Sequence, residues 1–393
     1  MMNTGAHRSG RHFLQIPGPT NLPDRIMRAM SRPLIDHRGQ EFAELTRSLL
    51  RRLRQIFKAT GSIVVYPASG TGAWEAALVN TLSPGDRLLA FETGHFATLW
   101  KNVAVALGLE VDWVTGDWRH GVHPAAVEEK LTQDRQHRIK AVLVVHNETS
   151  IGATSQIAEI RQAIDQAHHP ALFFVDSISS LGCTDYRHDD WGVDVTICGS
   201  QKGLMLPPGL SFNAIGAKAL EAAETARLPK SYWDWRPLLD SIEQGFFPYT
   251  PATSLLFGLD EALDMLLGEG LDQVFARHAR WAEATRRAVN AWGMENLCAN
   301  PQEYSNSTTA VLMPKDHDAD ALRKIVLGRF DMSIGTGLGR VKGKVFRIGH
   351  LGDFNDLSLA ATLSGIEMGL ALTGVPHKKA GVRAALDFLE TQP

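Results

Sequence analysis

Between about residues 60 and 220 the chain alternates short apolar runs with stretches of helical spacing, and this rhythm narrows its possible folds more than any other feature. Ser62 to Tyr66, Arg87 to Phe91, Glu110 to Val114, Ala141 to Val145, Ala171 to Val175 and Val193 to Cys198 read as strands. Trp74 to Leu82, Thr98 to Leu107, Pro124 to Leu131 and Ile157 to Ala167 read as the helices between them. Strands and helices in alternation make an α/β domain, with a mainly parallel sheet covered by helices on both faces. Such sheets bind ligands outside the carboxyl ends of their strands. Here those ends carry Pro67 to Gly72, Glu92 to Phe96, His146 to Thr149, Asp176-Ser177 and Gly199 to Lys202, which predicts one pocket on one rim.

After Pro248 to Pro251 the pattern changes to a long helical stretch, read as continuous from Ser254 to Trp292. Beyond it, Thr308 to Met313, Met332 to Ile334 and Val345 to Ile348 read as strands, with helices at Ala319 to Arg329, Asp356 to Thr373 and Val382 to Leu389. The expected division is an N-terminal arm over 1–12, a large domain over 13–270 and a smaller α+β domain over 271–393.

Bulk chemistry excludes several partners. With 44% hydrophobic and 21% charged residues and a formal charge of −3, the chain offers no strong field for nucleic acid. Its densest basic stretch, Arg47 to Arg54, alternates Leu and Arg as an amphipathic helix does. Three cysteines without a CxxC pair suit a reducing compartment, and Cys198, inside a strand, reads as a small hydrophobe. Met1 to Arg11 has no apolar core of the secretory kind, no run approaches a membrane span, and Glu390 to Pro393 carries no peroxisomal address. The cytoplasm is the expected location. The histidines lack the spacing of a zinc site, so no metal is expected.

The chemistry gathers at the strand ends. Ser69-Gly70-Thr71-Gly72 follows a strand and opens a helix, so its hydroxyls and free backbone N–H groups suit a phosphate; the alternative is a glycine turn capped by Ser or Thr. Glu75 stands where a dinucleotide fingerprint needs its third glycine. Phe96 can stack on a flat ring or fill core. Thr149 can offer a hydroxyl to a ring oxygen or cap the next helix. Asp176 ends a very apolar strand, where a carboxylate needs a partner: a protonated pyridine nitrogen, a salt bridge or a helix cap. Lys202 ends the adjacent run, one crossover away, and a buried amine has the lowered pKa that imine formation and proton transfer require. Together Asp176 and Lys202 suit pyridoxal phosphate. Arg347, in or beside a strand of the small domain, can grip a carboxylate from inside or lie on the wet face.

These residues fall in the motifs PGPTN (17–21), DHR (36–38), PASGTG, HNET, VDSISS, GSQKGLMLPPG, FPYTP and FRIGH. In combination the chain resembles the class V branch of fold-type I pyridoxal-phosphate enzymes, and within it the serine–glyoxylate and alanine–glyoxylate aminotransferases. The resemblance runs from Pro17 to about Leu372 and implies a mainly parallel seven-stranded sheet in the large domain. It implies that Lys202 carries the cofactor as an imine and that Asp176 pairs with the pyridine nitrogen. Ser69, Gly70, Thr71 and Gln201 would hold the phosphate, helped by Tyr249 or Thr250 from the other subunit of a homodimer, with a dimer of dimers as the larger alternative. Thr149 would meet the ring hydroxyl, and Ile178 and Phe96 would sandwich the ring. Arg347 would bind the substrate α-carboxylate, with Pro19, Thr20 and Asn21 lining the site. Phe96 departs from the tryptophan of the animal alanine–glyoxylate enzymes and is similar to the bacterial serine–glyoxylate form.

Among rival chemistries, a cysteine desulfurase would want a reactive cysteine in the small domain's loop, and 332–347 has none. A phosphoserine aminotransferase would want a second anion site beside Arg347. A dehydrogenase lacks its third glycine, and a regulator would need a DNA-binding module that the residues before His12 cannot form. Serine is the expected donor through family likeness, with aspartate or alanine as alternatives. For an acidic donor, His37 and Arg38 of a neighbouring subunit, or Arg340, would be candidate second cations.

Overall fold

A computed structural model describes residues 10–391. The expected arm therefore lies, through Ser9, outside the described residues, as do Gln392 and Pro393. All six expected strands form and join a seven-stranded sheet in the spatial order Ser62–Tyr66, Ser211–Ile215, Val195–Gly199, Leu172–Asp176, Ile139–Val145, Arg87–Phe91, Glu110–Val114. The seventh member, Ser211–Ile215, runs antiparallel to both neighbours, and the remaining pairings are parallel. The alternation did not reveal this strand because Ser211 and Asn213 interrupt it, and both are fully buried. Asn213 is tolerated there because its amide is satisfied: Oδ1 accepts from Tyr66 Oη at 2.9 Å and Nδ2 donates to Ala73 O at 3.2 Å.

The stretch expected to run unbroken from Ser254 to Trp292 is two helices, Thr253–Glu269 and Leu271–Trp292. Gly270, at φ 89° and ψ 128°, separates them in a conformation that a side chain would strain. The break lets the helices serve different cores. Leu256, Leu259, Leu263 and Leu266 pack with the large sheet, whereas Trp281, Ala284, Ala288, Val289 and Trp292 pack with the C-terminal elements.

The second core covers a five-stranded sheet ordered Phe13–Gln15, Met332–Thr336, Val345–Gly349, Thr308–Leu312, Glu295–Asn296. Its first strand comes from the opposite end of the chain: Phe13 pairs with Met332, in parallel. The segment read as the start of the large domain thus belongs to the C-terminal sheet, and residues 16–23 cross back. A third cluster, with Trp118 and Ile151 packed against Leu297, Val341 and Val345, joins the two halves. The Leu–Arg stretch lies in the helix Gln40–Phe57, with Leu49, Leu50 and Leu53 buried and Arg52 paired to Asp260 and Asp264. Among the described residues no helix is long and apolar enough to cross a membrane. None of their His, Cys, Asp or Glu side chains gather in a group of three or more able to hold a metal ion.

Candidate active site

Leu172–Asp176 and Val195–Gly199 are parallel neighbours, with Asp176 opposite Ile197, so the first strand's last residue and the loop after the second open on the same rim. Asp176 is buried. Its Oδ2 accepts from Trp74 Nε1 at 3.0 Å and its Oδ1 from Ile178 N at 2.7 Å. Neither a salt bridge nor a helix cap explains it. Burial pushes its pKa up to about 7, against the pull of those two donors and of Lys202, and Glu148 adds to the rise. Lys202, also buried, donates from Nζ to the carbonyl of Pro17. Burial and then the Arg347 charge lower its pKa to about 8, against the pull of Asp176.

At the other end of the cavity the helix Gly70–Thr81 begins. Ser69, its N-cap, makes no side-chain capping bond, so the capped-turn reading fails; Gly72 N donates to Ser69 O at 2.9 Å, and the Gly70 and Thr71 N–H groups and exposed Ser69 and Thr71 side chains stay available to an anion. A Cβ on Gly70 would stand 2.2 Å from Ile178 Cδ1 and would push that side chain aside. Gln201 reaches the same cavity, and its Oε1 is buried without a partner in the protein.

Phe96 and Ile178 line this cavity with Ser69, Gly70, Thr71, Thr149, Asp176, Gln201 and Lys202. Phe96 is fixed by Glu148, a buried carboxylate that accepts from Phe96 N at 3.1 Å, Ala97 N at 3.0 Å and Ser150 Oγ at 2.6 Å. It caps the helix His95–Ala106 from outside, where a negative charge is favoured. Thr149 caps no helix; its Oγ1 donates to Ser179 Oγ at 2.7 Å, which donates to Asn147 O at 2.9 Å.

Arg347 points inward from Val345–Gly349 and is buried, which rules out the wet-face reading. Its Nε donates to Thr336 O at 2.7 Å and its Nη1 to Thr149 O at 3.0 Å, so the guanidinium spans from the second sheet to the cavity wall. Burial, joined by the charge of Arg323, lowers its pKa to about 10 against the pull of Glu148. Thr20 N donates to Gln201 O at 3.3 Å, and Thr20 Oγ1 is buried without a partner, so the segment through Pro19 closes over the lysine loop. Asn21 turns elsewhere: its amide donates to Leu14 O at 3.0 Å and Gln15 Oε1 at 3.3 Å. Tyr249 stacks on Tyr232 with ring centroids 4.5 Å apart, Thr250 is exposed, and neither lines the cavity of its own chain. His37 and Arg38 bond each other at 2.8 Å on the exposed surface.

Sequence reasoning missed Trp74, Asn147 and Ser179, which line the cavity too. Trp74 was legible in principle, because it lies four positions after Gly70 and so on the same helix face.

Residues 12–338 match the family model for class-V aminotransferases. The chain belongs to that family. Among relatives of this class-V aminotransferase, the serine–glyoxylate aminotransferase of Methylorubrum extorquens is 48% identical over 98% of both chains. The L-aspartate–glyoxylate aminotransferase of Paracoccus denitrificans is 44% identical over 94% of both. The crystal structure of pyridoxamine–pyruvate aminotransferase from Mesorhizobium loti superposes with a TM-score of 0.91 at 26% identity, covering 99% of this chain and 100% of that one. The cofactor of this aminotransferase is pyridoxal phosphate, in a fold of type I. The residues present fit it: an uncapped helix start for the phosphate, flat and branched side chains on either side, a buried carboxyl in need of a positive partner, and a buried amine.

Proposed function

We propose that this aminotransferase moves an amino group from a small L-amino acid, serine before aspartate or alanine, to glyoxylate, giving glycine and a 2-keto acid. The observation that carries the reading is Arg347, a buried guanidinium anchored to Thr149 O beside the Lys202–Asp176 cavity, where it can take an α-carboxylate. Relatives named for serine–glyoxylate and aspartate–glyoxylate transfer support glyoxylate as acceptor. Serine is favoured because Arg340, a candidate second cation, already pairs with Glu92 at 2.6 Å.

Bound pyridoxal phosphate supplies an aldehyde carbon for imine exchange and a conjugated ring that takes up the electron pair of a cleaved Cα–H bond. Ser69, Gly70, Thr71 and Gln201 hold its phosphate, Thr149 meets its hydroxyl, and Phe96 and Ile178 flank its ring. Asp176 keeps the ring nitrogen protonated. Arg347 orients the amino acid by its carboxylate so that Cα faces Lys202 Nζ. Lys202 Nζ then takes the proton from Cα; burial lowers the pKa of the free amine to about 8, so it can accept and release a proton near neutral pH. Pro19 and Thr20 cover the site, and Asn21 acts by tethering that cover to Phe13–Gln15.

The same proposal includes a homodimer, with a dimer of dimers as the larger alternative, in which Tyr249 and Thr250 reach the partner's phosphate site, and a cytoplasmic location. That neither residue lines the cavity of its own chain supports that reach. It also includes a domain boundary at 270/271, close to where the core changes within the second helix, between Val274 and Trp281. Stopped-flow half-reactions with serine, alanine and aspartate, read in the cofactor's absorption, test the donor. Serine is expected to react with the greatest rate over half-saturation concentration; no reaction with serine refutes the proposal.

A further inference from the structure

Glu92 follows Arg87–Phe91 on the rim that carries the cavity, and its side chain is only 7% exposed. Its Oε1 accepts from Arg340 Nη2 at 2.6 Å and from Trp118 Nε1 at 3.2 Å. The Arg340 guanidinium also lies over the Trp118 ring, 5.6 Å from its centroid. Beside it, a Cβ on Gly339 would stand 2.7 Å from Trp118 Cη2 and 3.3 Å from His95 Nδ1, so the backbone is seated directly against the residue that precedes Phe96.

Arg340 belongs to the short loop 337–344 between Met332–Thr336 and Val345–Gly349. Those two strands carry the bracket of Arg347: Thr336 O accepts its Nε, and Gly335 is its neighbour in the sheet. The loop is thus pinned at its tip to the large sheet by Arg340 and Gly339. At its base it holds the guanidinium that crosses to Thr149 O.

We propose that Glu92 and Arg340 form a clasp between the two sheets, and that Arg340 is a positioning residue setting where Arg347 presents its guanidinium to the amino acid's α-carboxylate. This rests on the role proposed above for Arg347. Arg340 is largely exposed, so the pair by itself contributes little; its leverage comes from Glu92, a buried carboxylate that loses its countercharge when Arg340 goes. The clasp acts on the carboxylate common to all amino acids, so its loss touches every donor alike.

The test uses full-length holoenzyme carrying Arg340→Ala, Arg340→Lys, Glu92→Gln, or Arg340→Ala with Glu92→Gln, in half-reactions with serine, alanine and aspartate. Arg340→Ala is expected to raise the half-saturation concentration about tenfold for every donor that reacts, with the limiting rate within about twofold. Arg340→Lys should recover most of that loss, and the double variant should lose no more than Arg340→Ala alone. In cofactor-free protein, amide hydrogen exchange in 337–344 should quicken in Arg340→Ala, with exchange in Leu172–Asp176 unchanged. Unaltered half-saturation, unaltered exchange in the loop, or an effect confined to aspartate each overturns the proposal; the last would make Arg340 a reader of the donor side chain. If serine fails with the unsubstituted enzyme, the proposed donor falls and the clasp is read on whichever donor reacts. If none reacts, hydrogen exchange decides it.

Discussion

Asp176→Asn separates the stability of the protein from the demands of its chemistry. In the cofactor-free chain the carboxyl titrates near 7 rather than at its ordinary 3.8, because burial disfavours its charge. Between those values the native state holds a proton that the unfolded chain has released, so stability falls as pH rises from about 4 and levels off above about 7. The shift corresponds to about 4 kcal/mol. Asparagine carries no charge and is free of this loss. It meets a different cost: Trp74 Nε1 and Ile178 N both donate to the carboxylate, and an amide has one oxygen to offer them, which leaves one donor unmet at about 1–3 kcal/mol. Relative to wild type, the variant should therefore be less stable at pH 4 and more stable at pH 8, the difference moving by about 4 kcal/mol. Urea unfolding of cofactor-free protein across pH 4 to 8 measures it, and titrations common to both proteins cancel in the difference. A difference that does not change with pH refutes the reasoning. With pyridoxal phosphate bound, the outcome inverts, since asparagine cannot keep the ring nitrogen charged; amino transfer should fall by about two to four orders of magnitude.

Lys202→Ala should lower amino transfer about 1000-fold or more and abolish the mass increment that borohydride reduction fixes on the protein; near-normal turnover would sink the assignment. Gly70→Ala places a Cβ 2.2 Å from Ile178 Cδ1 and should weaken cofactor binding about tenfold by fluorescence titration, with helix content by circular dichroism unchanged. Glu148→Ala strands Phe96 N, Ala97 N, Ser150 N and Ser150 Oγ, and should cost about 3 kcal/mol in urea unfolding; a loss under about 1 kcal/mol would mean that water replaces the carboxylate.

The rim was legible because parallel strands must end on polar residues where ligands bind, so apolar runs ending in Asp176 or before Lys202 point to the same place without any knowledge of long-range contacts. Ser211–Ile215 was not legible. Its buried Asn213 is intelligible only beside Tyr66 and Ala73, which are remote in sequence. The break at Gly270 was hidden by apolar spacing on both sides of it. Phe13–Gln15 is too short to show a period and owes its strand to Met332–Ile334. At the site, residue types sufficed for Asp176, Lys202 and Arg347, whose burial demands explanation. They did not suffice for Asn21, whose amide turns back to Leu14 and Gln15, nor for Trp74, which reads as ordinary core until its N–H is seen to face a carboxylate.

The pairing of Phe13 with Met332 also dictates an order of events during synthesis. The first strand leaves the ribosome long before its partner exists. Until Met332–Thr336 emerges, Phe13–Gln15 has no neighbour, and the Pro17 carbonyl that receives Lys202 is not held in place. The large sheet, from Ser62 to Ile215, can assemble earlier, because its strands all lie within one stretch of chain. A nascent chain should therefore acquire its pocket in two stages, an open one when the large sheet closes and a covered one only when the C-terminal sheet recruits the strand that was made first.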